Sequence, residues 1–177
     1  LTFTSGHASQ DRIFGDDAFW RAKNREWFES GAAFKQFDEL VGNPLPTFQE
    51  WLAHPSIDAY WDSYNPTSEQ YAKLSIPILT ITGSYDGDQP GAMEHYRQYM
   101  KHANAEGRAR HYLVIGPWDH AGTRTPTDEA AGIKFGSAAV IDLNDLHRQW
   151  YDWTTKSGPE PEFLKKRVAY YVLAPGN

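Results

Sequence analysis

The chain has 177 residues, 40% of them apolar, with 7 Trp, 10 Tyr and 9 Phe. That is enough for one full domain or a large piece of a bigger one, and it excludes a disordered chain and two independent enzymatic domains. Seventeen Lys and Arg against 23 Asp and Glu leave a net charge of −6 with no basic stripe interleaved with aromatics, so no nucleic-acid partner is expected. No apolar run approaches the roughly 18–20 residues a bilayer requires, so no membrane partner is expected either. The absence of cysteine excludes disulfides, thiolate metal sites and a cysteine nucleophile.

Residues 1–15 show no sustained period and read as an entry segment; a start at Leu1 rather than Met leads us to expect polypeptide upstream. From Asp16 the pattern is helical. Phe19, Trp20, Trp27 and Phe28 mark one short helix, and Phe34, Phe37, Leu40 and Val41 mark another after Gly31. Asn43 to Pro46 stops the second. Thr47 with Glu50 reads as a capping box for a third helix on Trp51 and Leu52. Ser56 is then the expected cap of a fourth, with Ile57, Tyr60, Trp61 and Tyr64 at i, i+3, i+4 and i+7, ended by Asn65-Pro66. Residues 16–66 thus read as a helical segment.

The character changes after Leu74. Ile76 to Gly83 is a short β-rich run, closed by the turn cluster Ser84 to Gly91; Met93, Tyr96 and Met100 mark a helix to about Asn104, and Arg110 to Gly116 is a second apolar strand. Strand, helix and strand with near-continuous apolar strands predict a right-handed βαβ unit in a covered parallel sheet. Residues 117–140 read as a long surface loop. Asp142 is the expected cap of a helix with Leu143, Leu146, Trp150 and Trp153 on one face, stopped at Gly158-Pro159. A Pro/Glu linker leads to a last strand, Arg167 to Leu173, expected to begin another domain.

Two polar clusters follow the βαβ strands, where open α/β sheets bind their ligands. One is Ser84-Tyr85-Asp86-Gly87-Asp88 and the other Pro117-Trp118-Asp119-His120-Ala121-Gly122. A carboxylate after one strand and an imidazole after the next, in that order, form the Asp-then-His half of an α/β-hydrolase triad. The histidine takes a nucleophile's proton and returns it to the leaving group, while the aspartate fixes the tautomer. As structural residues, Asp86 would be a turn former and His120 an ordinary loop histidine.

The segments GSYDGDQPGA and HYLVIGPWDHAG resemble the two catalytic-loop signatures of the S15 serine hydrolases, the group of cocaine esterases, X-prolyl dipeptidyl peptidases and α-amino-acid ester hydrolases. LAHPSIDAYWDSYNP with KLSIPILTITGSYD is similar to that family's last cap helix and following strand. DLHRQWYDWTTKSG matches its next helix, and RVAYYVLAPGN resembles the opening of its C-terminal jelly roll. The resemblance covers residues 17–177 and implies a partial α/β-hydrolase fold with a helical cap segment and the first strand of a β jelly roll. It divides the chain into an entry segment (1–15), a cap (16–66), the C-terminal part of the hydrolase domain (67–158), and a linker with the start of a β-sandwich (159–177). Asp86 matches the triad aspartate and His120 the triad histidine. Asp88 falls at a substrate-pocket position that is acidic in the amino-acid ester hydrolases, and Trp118 and Tyr85 flank the pair as candidate pocket walls.

No serine here lies in the G-x-S-x-G elbow that carries the family's nucleophile; Ser5, Ser84 and Ser137 all lack the glycines that the elbow places two residues before and two residues after the serine. The expectation is therefore part of a serine hydrolase that supplies Asp and His, lacks its serine and is inactive alone, its main partner being an upstream part of the same enzyme. The aromatic cap favours an ester or amide substrate with a bulky acyl group, and Asp88 an amine-bearing one. No cofactor is expected: the mechanism needs none and no phosphate loop is present. His95 and His102 share a helix face without a third ligand, so no metal site is expected. The alternative of a different class is a non-catalytic α/β binding or scaffolding module that uses the aromatic helices as a partner groove.

Overall fold

The computed structural model describes residues 15–173, and the chain divides between Asn65 and Pro66 into two compact units.

The first unit is helical. Helix α1, Asp17–Ser30, is started by the Asp16 carboxylate, which accepts from Phe19 N at 2.9 Å, and is ended by Gly31 in the left-handed conformation. A 3-10 turn, Phe34–Gln36, runs into α2, Phe37–Val41, followed by α3, Pro46–Ala53, and α4, Ala59–Asp62. Trp20, Phe37, Val41 and Phe48 form its core, with Phe19, Trp27, Leu40, Leu45 and Leu52 packed around them. Asp38 is buried beside this core. Burial alone would raise its carboxyl, but hydrogen bonds donated by Gln49, Leu45 N and Glu39 N hold it below the usual carboxylate range. That carboxylate ties α2 to α3.

Two expectations fail in this unit. The Thr47–Glu50 capping box does not form, because Pro46, with its fixed φ and no N–H to satisfy, takes the first helical position and makes Leu45 the cap. The helix expected from Ser56 starts at Ala59 instead. Asp58 accepts from Tyr60 N at 3.0 Å and begins the helix later, so only one turn forms. Ile57 is 89% and Tyr64 67% exposed, and the apolar stripe is not a buried face.

The second unit is mixed α/β. Helix α5, Ser68–Ala72, opens with a reciprocal capping box between Thr67 and Gln70, a T-x-x-Q signal not read in the sequence. Then come β1, Ile78–Gly83; α6, Gln89–His102; α7, Ala105–Ala109; and β2, His111–Gly116. β1 and β2 pair in parallel from Ile78 with His111 to Gly83 with Gly116. Alternating side chains feed opposite faces. Ile78 and His111 meet α6, where Tyr99 and His111 lie edge to face at 4.7 Å. Leu79, Ile81, Tyr112 and Val114 meet α8, Leu143–Lys156, through Leu143, Leu146 and Trp150. Asp142 caps α8 by accepting from Asp145 N at 2.9 Å.

The segment expected as a surface loop is partly structured. It contains a small antiparallel hairpin of β3, Glu129–Ala130, and β4, Ile133–Lys134, then a 3-10 turn, Ser137–Ala139, and it buries Phe135 and Ala139 fully. The strand expected to open a separate domain is β5, Val168–Tyr170. It pairs in parallel with β2, giving one three-stranded sheet of order β1-β2-β5. Parallel pairing needs no short connection, only a crossover, which α8 provides. Among the described residues no jelly roll is formed. No helix among them is long and apolar enough to cross a membrane.

Candidate active site

The site is built where β1 and β2 end. Because Gly83 and Gly116 are register partners, the loops that follow them emerge side by side, tied by Ser84 N donating to Gly116 O at 2.8 Å and Tyr85 N to Trp118 O at 3.0 Å. This close approach depends on glycine: a Cβ on Gly83 would overlap the Trp118 backbone, and one on Gly116 would overlap its indole. Trp118 is buried in the core under both loops, and its Nε1 donates to Ala139 O at 2.8 Å. Expected as a candidate pocket wall, it lies beneath the loops and supports them from within. Tyr85 stacks on Phe135 at a centroid distance of 5.9 Å.

Asp86 sits in the turn after β1. Its N–H donates to Gly83 O at 3.1 Å and its Oδ1 accepts from Asp88 N at 3.0 Å, an Asx-type turn that fixes the carboxylate. His120 is held by a second turn, in which Asp119 Oδ1 accepts from Gly122 N at 2.9 Å and Thr123 Oγ1 donates to His120 O at 2.7 Å. The two side chains meet: His120 Nδ1 lies 3.1 Å from Asp86 Oδ1. Asp88 Oδ2 lies 3.3 Å from the same nitrogen. The two carboxylates differ in setting, the Asp86 side chain being 6% exposed and that of Asp88 80%.

On the other side of the ring, Arg124 Nη2 lies 2.9 Å from His120 Nε2. A guanidinium only donates, so Nε2 must present its lone pair and the proton of the neutral ring must sit on Nδ1, toward the carboxylates. Both neighbours therefore select one tautomer, the one in which Nε2 accepts a proton. Asp86, Asp88 and His120 also form a group whose potential metal-ligating atoms lie within 4.8 Å of one another. With its proton on Nδ1, however, His120 has no lone pair to offer a cation there. Of the residues singled out in the sequence, Asp86, Asp88 and His120 come together, and Trp118 lies beneath them. Arg124 was not foreseen; its signal was a basic residue four positions after the histidine in HAGTR.

Residues 4–122 match the family described as X-Pro dipeptidyl-peptidase, S15. No curated protein matches the chain. Among solved structures, an aminopeptidase from a marine sediment archaeon, Thaumarchaeota archaeon, is similar at 24% identity and a TM-score of 0.52. The match covers 88% of this chain and 24% of the archaeal one, so the chain spans about a quarter of that protein's length. At this identity the likeness concerns the fold.

Proposed function

The chain belongs to the X-Pro dipeptidyl-peptidase family S15, and from that membership we propose that it is the part of a serine hydrolase that supplies the acid and the base of the catalytic triad. Asp86 is the triad acid and His120 the general base. The observation that carries this reading is the 3.1 Å contact between Asp86 Oδ1 and His120 Nδ1, with Nε2 left as the acceptor. In the reaction, a serine hydroxyl contributed by polypeptide outside these 177 residues approaches Nε2 and loses its proton there as it attacks the substrate carbonyl. His120 then returns that proton to the leaving group, and a water repeats both transfers to release the acyl group. Asp86, almost fully enclosed, steadies the imidazolium formed in between.

Residues 16–66 form the cap and residues 67–158 the last part of the hydrolase domain. The substrate is a peptide or a related amide or ester, and Asp88, exposed beside the triad, is placed to receive an amine-bearing acyl portion. Trp118 shapes the pocket floor through the loops it supports. The nucleophile being elsewhere, the 177-residue chain alone is inactive.

The test is a serine-directed fluorophosphonate probe applied to the enzyme that carries this segment and to the 177-residue chain by itself. Labelling is expected in the first, lost in His120→Ala, and absent from the second. Turnover of an activated ester by the short chain, abolished by His120→Ala, would overturn the missing-nucleophile claim. An unlabelled longer enzyme would favour a scaffolding role for its aromatic helices.

A further inference from the structure

Arg124 carries a full charge and spends it on a neutral ring nitrogen. Its Nη2 donates to His120 Nε2 at 2.9 Å, and no carboxylate among the described residues lies within ion-pair distance of its guanidinium, whereas Arg97, Arg110 and Arg148 each hold one. The backbone beneath it is fixed: Arg124 N and Thr125 N both donate to Ala121 O at 3.0 Å, and Thr123 N donates to Asp119 O at 3.2 Å. The two nearby acids, Asp86 and Asp88, are gathered on the opposite nitrogen. Among the described residues the site is thus polarised, with anions at Nδ1 and, at Nε2, a cation that holds no carboxylate.

The position matters because Nε2 faces the bond being broken. A base that returns its proton to the leaving nitrogen stands within hydrogen-bond reach of it, about 3 Å. Whatever sits against Nε2 therefore sits against the leaving group. When that group is a single amino acid, its α-carboxyl carbon is bonded to the carbon that bears the leaving nitrogen, so its oxygens fall beside the same spot. A guanidinium matches a carboxylate in a bidentate fork, and the charge-assisted bonds so formed are stronger than the one it makes to a neutral imidazole.

Resting on the hydrolase reading above, we infer that Arg124 is a specificity-determining residue that reads the leaving side of the substrate and favours short peptides in which a free C-terminal carboxylate directly follows the scissile bond. Before substrate binds, the same side chain holds His120 in the tautomer the reaction needs. An arriving carboxylate draws the guanidinium from Nε2 and opens that lone pair to the serine hydroxyl.

The experiment uses the serine-bearing enzyme that contains this segment. Tripeptides cleaved to release one amino acid are compared with the same peptides amidated at the C-terminus, in the wild type, Arg124→Gln and Arg124→Lys. The expected result is a preference of about tenfold in kcat/KM for the free acid in the wild type, falling toward one in Arg124→Gln and partly retained in Arg124→Lys. A role confined to folding would lower both substrates together and leave the ratio unmoved. An acid-to-amide ratio near one in the wild type, or one unchanged in Arg124→Gln, overturns the inference while leaving the hydrolase reading intact. Failure to hydrolyse either peptide, together with no fluorophosphonate labelling, overturns both.

Discussion

Asp86 and Asp88 contact the same imidazole nitrogen within a few tenths of an ångström of each other, yet their surroundings give them different work. Asp86 is enclosed and oriented by its own turn; Asp88 is open to water, where a charge pair contributes little. Replacing Asp86 with Asn in the serine-bearing enzyme is expected to lower kcat by about four orders of magnitude, since an amide steadies neither the tautomer nor the imidazolium. Asp88→Asn should leave kcat far less affected and raise KM for substrates with a free amine. Steady-state kinetics on one amine-bearing peptide and its acetylated form separate the two, and equal losses of kcat would refute the assignment of Asp86 as the triad acid. Gly116→Ala tests the floor of the site: the added methyl meets the Trp118 indole, so urea denaturation should register a loss of about 1–3 kcal/mol. The meeting of Asp86 with His120 was legible because both residues follow the ends of paired strands. Arg124 was not, because a lone arginine in a loop has no periodicity to betray which atom it touches.

The helix Leu143–Lys156 was legible almost residue by residue, and the reason is agreement between levels. A side-chain cap at Asp142, an apolar stripe of Leu143, Leu146 and Trp150, and a stop near Gly158 all specify the same helix, and its stripe meets the strand face carrying Tyr112 and Val114. Asp142→Ala should cost about 1 kcal/mol through the lost cap, and Trp150→Ala about 3–5 kcal/mol through the cavity left against Tyr112. The ratio of those losses, read from denaturation midpoints, checks that tertiary packing outweighs capping here. The residues from Ile57 to Tyr64 show the converse. Their helical spacing is as good, but Asp58 caps a later start and nothing in their unit buries Ile57 or Tyr64, so spacing alone made a single turn, Ala59–Asp62, and not the longer helix. The pairing of the strand Val168–Tyr170 was not legible for a different reason: its partner, β2, lies some fifty residues earlier, and parallel pairing leaves no turn signal between the two. The two-residue strands β3 and β4 are too short to show alternation at all.

The molecule as a whole carries an acid-sensitive element away from the candidate active site. His111 opens β2, fully buried, with Nε2 at 2.9 Å from Thr80 Oγ1 and Nδ1 without a partner. The rings of Tyr96, Tyr99 and His95 close over it from α6, and Tyr71 contacts His95 from α5. Burial, with a smaller contribution from His95, lowers its pKa to about 4. Unfolding returns it to about 6.5. Between those values the unfolded chain binds a proton that the native one refuses, so stability rises with pH. The stabilisation from a neutral His111 is complete above about pH 6.5, drains as the pH falls through the window, and is gone below about pH 4. Its full span is about 3 kcal/mol, of which about 2 kcal/mol is lost between about pH 7 and pH 5. Asp38, whose carboxyl is held below the usual carboxylate range by its hydrogen bonds, does not contribute to the change across that window. Urea denaturation of the 177-residue chain at both pH values should therefore show the drop, and His111→Gln, which keeps a hydrogen-bonding group toward Thr80 but cannot titrate, should flatten it. An unchanged slope in that variant, or a His111 imidazole resonance that titrates above about pH 6, would assign the acid sensitivity elsewhere.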